Sequence, residues 1–249
     1  MTRLFDCFMF RDELDMLECR LTEMAQIPGY CAVLVEAPVT HRGEPKPLHY
    51  ADNLERFQSW SDRIVHVVAD LPDSPDPWVR EHAQRDAAMS VLRESAAGDD
   101  IVLICDVDEF VPWPFPFPSP AVAFNQRLAM YAVDWLYPQL HICSVAAQWD
   151  FIRKSSLSRV RDNRYSFPLV SGGWHLTWLG GPEAQRRKLE THCHLEMRPD
   201  EVERIHSGRA YNKGEHQSGD CNMIPADVDD SWPEMIAKRQ VPESWFRPR

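Results

Sequence analysis

Four short apolar runs, residues 4–10, 31–35, 64–68 and 101–105, are spread through the first 105 residues with helix-like segments between them. Each gap is long enough for a crossover helix, and that spacing constrains the fold more than any other feature of the chain. Parallel strands cannot be joined by tight turns, so strand–helix alternation of this kind predicts a parallel sheet covered by helices. Leu14, Leu17, Leu21 and Met24 recur at helical spacing after the first run, with Asp12 placed to cap the first turn. Pro28-Gly29 ends that helix. A short helix is expected over 53–60 and a longer one over 78–97, closed by Gly98. Beyond Pro112 the pattern changes. Five prolines between 112 and 120 precede a short helix, then strand-like runs over 130–137 and 141–149. Helices are expected again near Pro182 and over 200–206. The reading is one α/β domain over 1–249, with a donor-side half to about 111 and an irregular half from 112.

Composition narrows the class. The chain is 44% hydrophobic and 26% charged, the mix of a globular protein, and its net charge is −11. An acidic surface argues against general nucleic-acid binding, which needs a basic face, but leaves room for a local basic pocket. No apolar run reaches membrane-spanning length, so no transmembrane segment is expected. Seven cysteines, odd in number and often inside apolar runs, fit a reduced, cytoplasmic protein rather than a disulfide framework. Oligomeric state is not legible.

The strand-like run 101–105 ends in Asp106-Val107-Asp108-Glu109. Ligands of open α/β sheets bind at the carboxyl ends of strands, and side chains two apart on extended backbone face the same way. Two carboxylates aimed at one site repel unless a cation lies between them, and hard oxygen ligands select Mg²⁺ or Mn²⁺. A solvated acidic turn is the ordinary alternative. Two chemistries use such a pair. One is a haloacid-dehalogenase-like phosphohydrolase with Asp106 as nucleophile. The other is a nucleotide-sugar transferase whose cation faces a diphosphate leaving group.

Several further segments occur in order. They are Phe10-Arg11-Asp12-Glu13-Leu14, Val35-Glu36-Ala37-Pro38-Val39-Thr40-His41-Arg42-Gly43, Lys46-Pro47-Leu48-His49-Tyr50 and Gln84-Arg85-Asp86. Cys105-Asp106-Val107-Asp108-Glu109, Gly172-Gly173-Trp174-His175-Leu176-Thr177-Trp178 and Lys188-Leu189-Glu190 with His194 and Glu196 complete the set. With these the chain resembles glycosyltransferase family 17, of the β-1,4-N-acetylglucosaminyltransferase III (bisecting GlcNAc transferase) type. The resemblance implies a GT-A-type, Rossmann-like and mostly parallel sheet flanked by helices. It also implies a UDP-sugar donor, GlcNAc as the transferred sugar, and inversion at the anomeric carbon onto a glycan or small hydroxyl acceptor.

The roles that follow are expectations. Asp108 binds Mn²⁺ or Mg²⁺, Asp106 binds the metal or the donor ribose, and His194 completes the metal shell. Glu183, near the start of a helix, is the general base; acids also favour helix starts for their dipole alone. Glu36 and Thr40 end the second strand, on the nucleotide side. Lys46 and Lys188 face the diphosphate, and Arg85 reaches the donor unless it only pairs with Glu81. Glu109, Trp174, His175 and Trp178 lie on the acceptor or sugar side, although tryptophans are as common in cores. A non-catalytic nucleotide-sugar binder is the third possibility.

Overall fold

The computed structural model describes residues 2–117, 119–191 and 197–248. The parallel half follows the sequence pattern closely. Strands β1 (Leu4–Met9), β2 (Tyr30–Glu36), β3 (Ile64–Val68) and β4 (Ile101–Asp106) pair in parallel in the order β3-β2-β1-β4. Helix α1 (Leu14–Met24) lies between β1 and β2 in the chain, and a 3-10 helix over Ala51–Arg63 leads into β3. Between β3 and β4 run α2 (Pro77–Asp86) and α3 (Met89–Ser95).

Helices cover both faces, and the strands alternate between them. Leu4 and Phe8 of β1, with Leu103 and Cys105 of β4, join one core with Leu17, Leu21 and Met24 of α1. Phe5, Cys7, Val102 and Ile104 join the other, with Met89 and Leu92 of α3. Val102, Leu103, Ile104 and Cys105 are all fully buried, as expected of a strand covered on both sides.

The second half is less regular in its strand order, as expected, and carries more strands than the sequence pattern marks. It extends the same sheet with β5 (Glu109–Phe110), β6 (Ala121–Met130), β7 (Trp135–Gln148), β8 (Leu169–Thr177) and β9 (Ile224–Pro225). β7 runs antiparallel to β4 and β6, so the sheet is parallel through its first half and mixed thereafter. The short helix expected after the prolines is instead β6, because pairing on both edges outweighs the helical bias of its alanines. Between β7 and β8 lie α4 (Trp149–Ile152) and α5 (Leu157–Asp162), packed on the same core as α3. After β8 come α6 (Gly181–Thr191) and α7 (Pro199–His206), near the expected positions.

Two smaller expectations are corrected. The helix expected over 78–97 is broken at Ala87–Ala88 into α2 and α3, and Asp76 caps α2 by accepting from the Trp78 N–H at 3.0 Å. Asp12 does not cap α1: its backbone carbonyl accepts from Leu14 N–H, and the Glu13 side chain turns back to the N–H groups of Arg11 and Asp12.

Candidate active-site cleft

The register Val35–Met9–Asp106 brings the carboxyl ends of β2, β1 and β4 level with one another. A cleft of about 1080 Å³ opens there, walled by residues of α2, α5, α6, β7 and β8. Among the described residues its lining carries seven Lys or Arg against six Asp or Glu, in a chain whose net charge is −11.

Asp106 is held from two sides. Arg85 of α2 donates to Oδ1 at 2.9 Å, and Arg161 of α5 donates to Oδ2 at 3.0 Å. Burial works against its charge, but Arg161 and Arg85 outweigh burial and hold the carboxyl well below the usual range. Glu109 is almost fully buried and receives both arms of the same Arg161, at 2.6 and 2.9 Å. Its Oε2 also accepts from Ser144 Oγ at 2.9 Å and from Asp106 N–H at 3.1 Å. Despite burial, Arg161 keeps Glu109 ionised. Glu109 therefore braces the turn and presents no free oxygen to the cleft.

The turn is fixed from behind by Arg20 of α1, which is fully buried. It pairs with Asp6 on β1, at 2.5 and 2.8 Å, and donates to the Glu109 carbonyl at 2.6 Å. Gln84 ties the neighbouring strand ends by donating to the carbonyls of Val35 at 2.8 Å and Phe10 at 3.4 Å. Gly173 has φ of +83°, and a Cβ there would lie 2.1 Å from the Phe110 carbonyl oxygen. Only glycine lets β8 approach β5 so closely, and that pairing sets His175 opposite Glu109.

Asp108 is different. Among the described residues its oxygens meet His175 Nε2 at 3.7 Å and Lys188 Nζ at 3.8 Å, with no shorter partner. Burial pushes its carboxyl up, and His175 and Lys188 only partly offset this. Lys188 is aimed by Thr177 Oγ1, to which it donates at 3.0 Å, and its ammonium lies 5.4 Å from the centre of the Trp178 ring.

The wall behind Lys188 is strained. Tyr131 and Trp178 follow β6 and β8, and both have left-handed backbone, at φ of 72° and 60°. The side-chain amide of the buried Gln185 donates to both carbonyls, at 3.3 and 2.9 Å. Left-handed conformations of bulky residues persist only where surroundings enforce them. Gln185 is that enforcement.

The remaining expected residues divide clearly. Thr40, Lys46, Arg85, His175, Trp178 and Lys188 line the cleft with Asp106 and Asp108. Glu36 lies behind it, fully buried, accepting from Tyr50 N–H and 3.5 Å from Lys46 Nζ. Trp174 points to the opposite face because side chains alternate along β8; it stacks on Trp232 at 4.2 Å and donates to the Ser231 carbonyl. Glu183 is not part of the lining: its side chain is 86% exposed and sits 3.3 Å from Arg187. His194 lies outside the described residues.

The donor set suits a divalent cation in part. Asp108 and His175 offer one carboxylate oxygen and one imidazole nitrogen at a separation a single ion can bridge, a pair suited to Mn²⁺. Asp106 fits less well than expected, since both its oxygens already accept from guanidiniums. Glu109, Cys143 and His175 also converge, with ligand atoms within 4.8 Å. There the Glu109 oxygens are taken, and burial pushes the Cys143 thiol far above its ordinary value. That trio does not suit a hard cation.

With the geometry in place, comparison with known proteins becomes informative. A model of glycosyltransferase family 17 matches residues 1–114. The match includes the strand ends of the cleft and the whole acidic turn, and stops before β6. A search of curated proteins found no match. Among solved structures, the galactosyltransferase LgtC in complex with donor and acceptor sugar analogs is similar at a TM-score of 0.33 and 13% identity, over 67% of this chain. The chain spans 64% of that structure's length.

Sequence reasoning missed Arg161, Arg20 and Gln185, and the cleft histidines His41, His141 and His216. Arg161 had one available signal: it follows Leu157 by four residues, which puts it on the apolar side of its helix. Arg20 and Gln185 carried none.

Proposed function

We propose that the chain transfers a sugar, GlcNAc in the reading favoured by the resemblance, from a UDP-sugar to a hydroxyl acceptor with inversion and with help from Mn²⁺ or Mg²⁺. The observation that carries this reading is Asp108. It is a carboxylate without a close partner among the described residues, set beside His175 and Lys188 at a strand end in a cleft large enough for two substrates. The family 17 match across that strand end supports it.

In this mechanism Asp108 and His175 would hold the cation, with His194 as the further ligand, and a bound cation would supply Lewis-acid neutralisation of the diphosphate leaving group. Lys188 adds a second positive charge at the same place. Thr40 and Lys46 lie on the nucleotide side, and Glu36 fixes Lys46 from behind. Asp106, Arg85 and Glu109 act as a frame that keeps Arg161 and the turn in position. Trp178 offers a ring face to a sugar.

The base is assigned to His141 rather than to Glu183. His141 lines the cleft with its ring 6.1 Å from that of His175. His141 is on the exposed stretch of β7, yet partial desolvation by the cleft walls, with His175 and the nearby arginines, lowers its pKa from the ordinary histidine value, which favours the neutral ring that can accept the acceptor's proton. The phosphohydrolase reading requires Asp106 to attack, and the two guanidiniums on its oxygens oppose that role.

The test is a panel of nucleotide-sugars with Mn²⁺, scored by protection against thermal unfolding and then by turnover with hydroxyl acceptors. Selective protection by UDP-sugars followed by transfer supports the proposal. Protection without turnover makes the protein a binder. Phosphate release from phosphomonoesters without UDP-sugar protection overturns the transfer reading.

A further inference from the structure

The segment 151–169, which carries α5, differs in character from the rest of the chain. It contains five of the 27 Lys and Arg residues but one of the 38 Asp and Glu. It also holds three of the exposed large apolar side chains, Phe151 at 54%, Tyr165 at 65% and Leu169 at 51%. The two ends of the segment meet in space: the rings of Phe151 and Phe167 contact edge-on at 6.3 Å, tying α4 to the residues just before β8. Arg153, Lys154 and Arg159 are exposed on the same segment. Lys154 and Arg159 make no ion pair among the described residues, while Arg153 pairs with Asp150 at 3.2 Å in an exposed contact of little strength. Asp162 is the other acid on this face, 3.9 Å from His82.

The segment is anchored firmly. Arg161 is bound to Asp106 and Glu109, and Ser158 accepts no freedom either, donating its N–H to Asp86 at 2.8 Å and its hydroxyl to the His82 carbonyl at 3.1 Å. Its inner side builds the cleft while its outer side carries the basic and apolar groups.

We propose that this outer face docks the protein on an anionic lipid surface, with Phe151, Tyr165 and Leu169 entering the headgroup region and Arg153, Lys154 and Arg159 meeting lipid phosphates. Basic residues flanking exposed aromatic and aliphatic side chains are what an interfacial site requires. A net charge of −11 does not prevent it, because at physiological salt charges more than about 8 Å from the surface are largely screened. The whole molecule is repelled weakly, and this face alone is attracted, which also fixes orientation. A nucleic acid would engage the same cations, but the three protruding apolar groups would gain nothing along a phosphate backbone. The docking stands without the transfer reading; joined to it, the acceptor is a hydroxyl carried by a lipid, delivered beside Arg164 and Asp162 at the cleft wall.

The experiment is co-sedimentation of the full chain with vesicles of phosphatidylcholine, with and without phosphatidylglycerol, at physiological salt. The wild type should sediment with the anionic vesicles and stay in solution with the neutral ones. Arg153→Glu with Lys154→Glu and Arg159→Glu, all exposed and so harmless to the thermal midpoint, should lower binding by about tenfold or more. Asp108→Asn should sediment like the wild type, which keeps a failure of docking separate from a failure of the transfer proposal. No sedimentation of the wild type, or equal sedimentation of the charge-reversed variant, overturns the proposal. So does displacement from the vesicles by single-stranded RNA at lower concentration than by soluble phosphatidylglycerol headgroup, which would make the face a nucleic-acid site.

Discussion

Asp106 and Asp108 stand two residues apart and are set to opposite electrostatic states. Two arginines hold Asp106 charged and fully engaged, whereas burial pushes Asp108 toward its neutral form, His175 and Lys188 being its ion-pair partners among the described residues, each beyond 3.5 Å. One is held within the scaffold and the other lines the cleft without a close partner among the described residues. A D-x-D pair of this kind has one working carboxylate, and the two positions should respond differently to the same substitution.

Asp108→Asn should abolish Mn²⁺-dependent protection by UDP while leaving the urea midpoint at or slightly above that of the wild type, since a destabilised buried charge is removed. Asp106→Asn should lower the midpoint and weaken UDP protection only in part. Equal loss of UDP protection in both variants would show that the two carboxylates share the ligand.

Arg161→Met tests the frame. It leaves the buried Glu109 without its bidentate partner, and breaking such a pair from one side costs about 3–5 kcal/mol. Urea denaturation should detect this directly. A loss under about 1 kcal/mol would mean that water replaces the guanidinium, as at an exposed pair.

Glu183→Gln should leave turnover per folded molecule within a few-fold of the wild type, because the side chain faces solvent. A fall of about 10²–10⁴-fold, the contribution of a positioned base, would return the catalytic role to Glu183 and remove it from His141.

Gln185→Leu removes the amide that holds Tyr131 and Trp178 and leaves their carbonyls short of a donor. A destabilisation of about 1–3 kcal/mol is expected. If Gln185 also positions Lys188 through Trp178, UDP affinity should fall further than in a control variant of equal thermal midpoint.

Acid stability should depend on Asp100, which accepts from the N–H groups of Ala97 and Arg3 and pairs with the Arg3 guanidinium at 2.9 Å. Burial alone would raise its pKa, but these donors outweigh burial and lower it. The unfolded chain therefore takes up this proton first as pH falls. The stabilisation is complete above the ordinary aspartate value of about 3.9 and is lost below it, as pH drops through the folded-state value. The difference in urea midpoint between wild type and Asp100→Asn should be constant from neutral pH to about pH 5 and shrink below about pH 4. A difference that grows on acidification would reverse the sign.

The parallel half was legible because its inner strands β1, β2 and β4 are buried on both faces and so read as largely apolar runs, as in Ile101 to Cys105, and the half-exposed edge strand β3 is still mostly β-branched. β6 was not: Ala121, Ala123 and Ala129 favour helix locally, and only pairing with β7 and β8 makes them a strand. The strand-end acids marked the cleft correctly, yet their charges could not be assigned, because Arg161 arrives from 55 residues further along the chain. Trp174 and His175 illustrate the same limit. The paired glycines drew attention to both, but which of the two faces the cleft depends on the β5–β8 register, set by contacts at Gly173 that no local pattern encodes.

The position of β4 has a consequence for how the chain can be divided. Its outer edge is covered by β7, residues 135–148, while the recognisable family signal ends at residue 114. A polypeptide cut at that boundary would keep the acidic turn but bare the Ile101–Ile104 edge, a row of unsatisfied backbone groups flanked by apolar side chains. Such an edge invites self-association into extended ladders. The part of the chain that is recognised by its letters thus leaves its own sheet open at one edge, and a β6–β7 hairpin supplied separately should be able to close that edge and restore solubility.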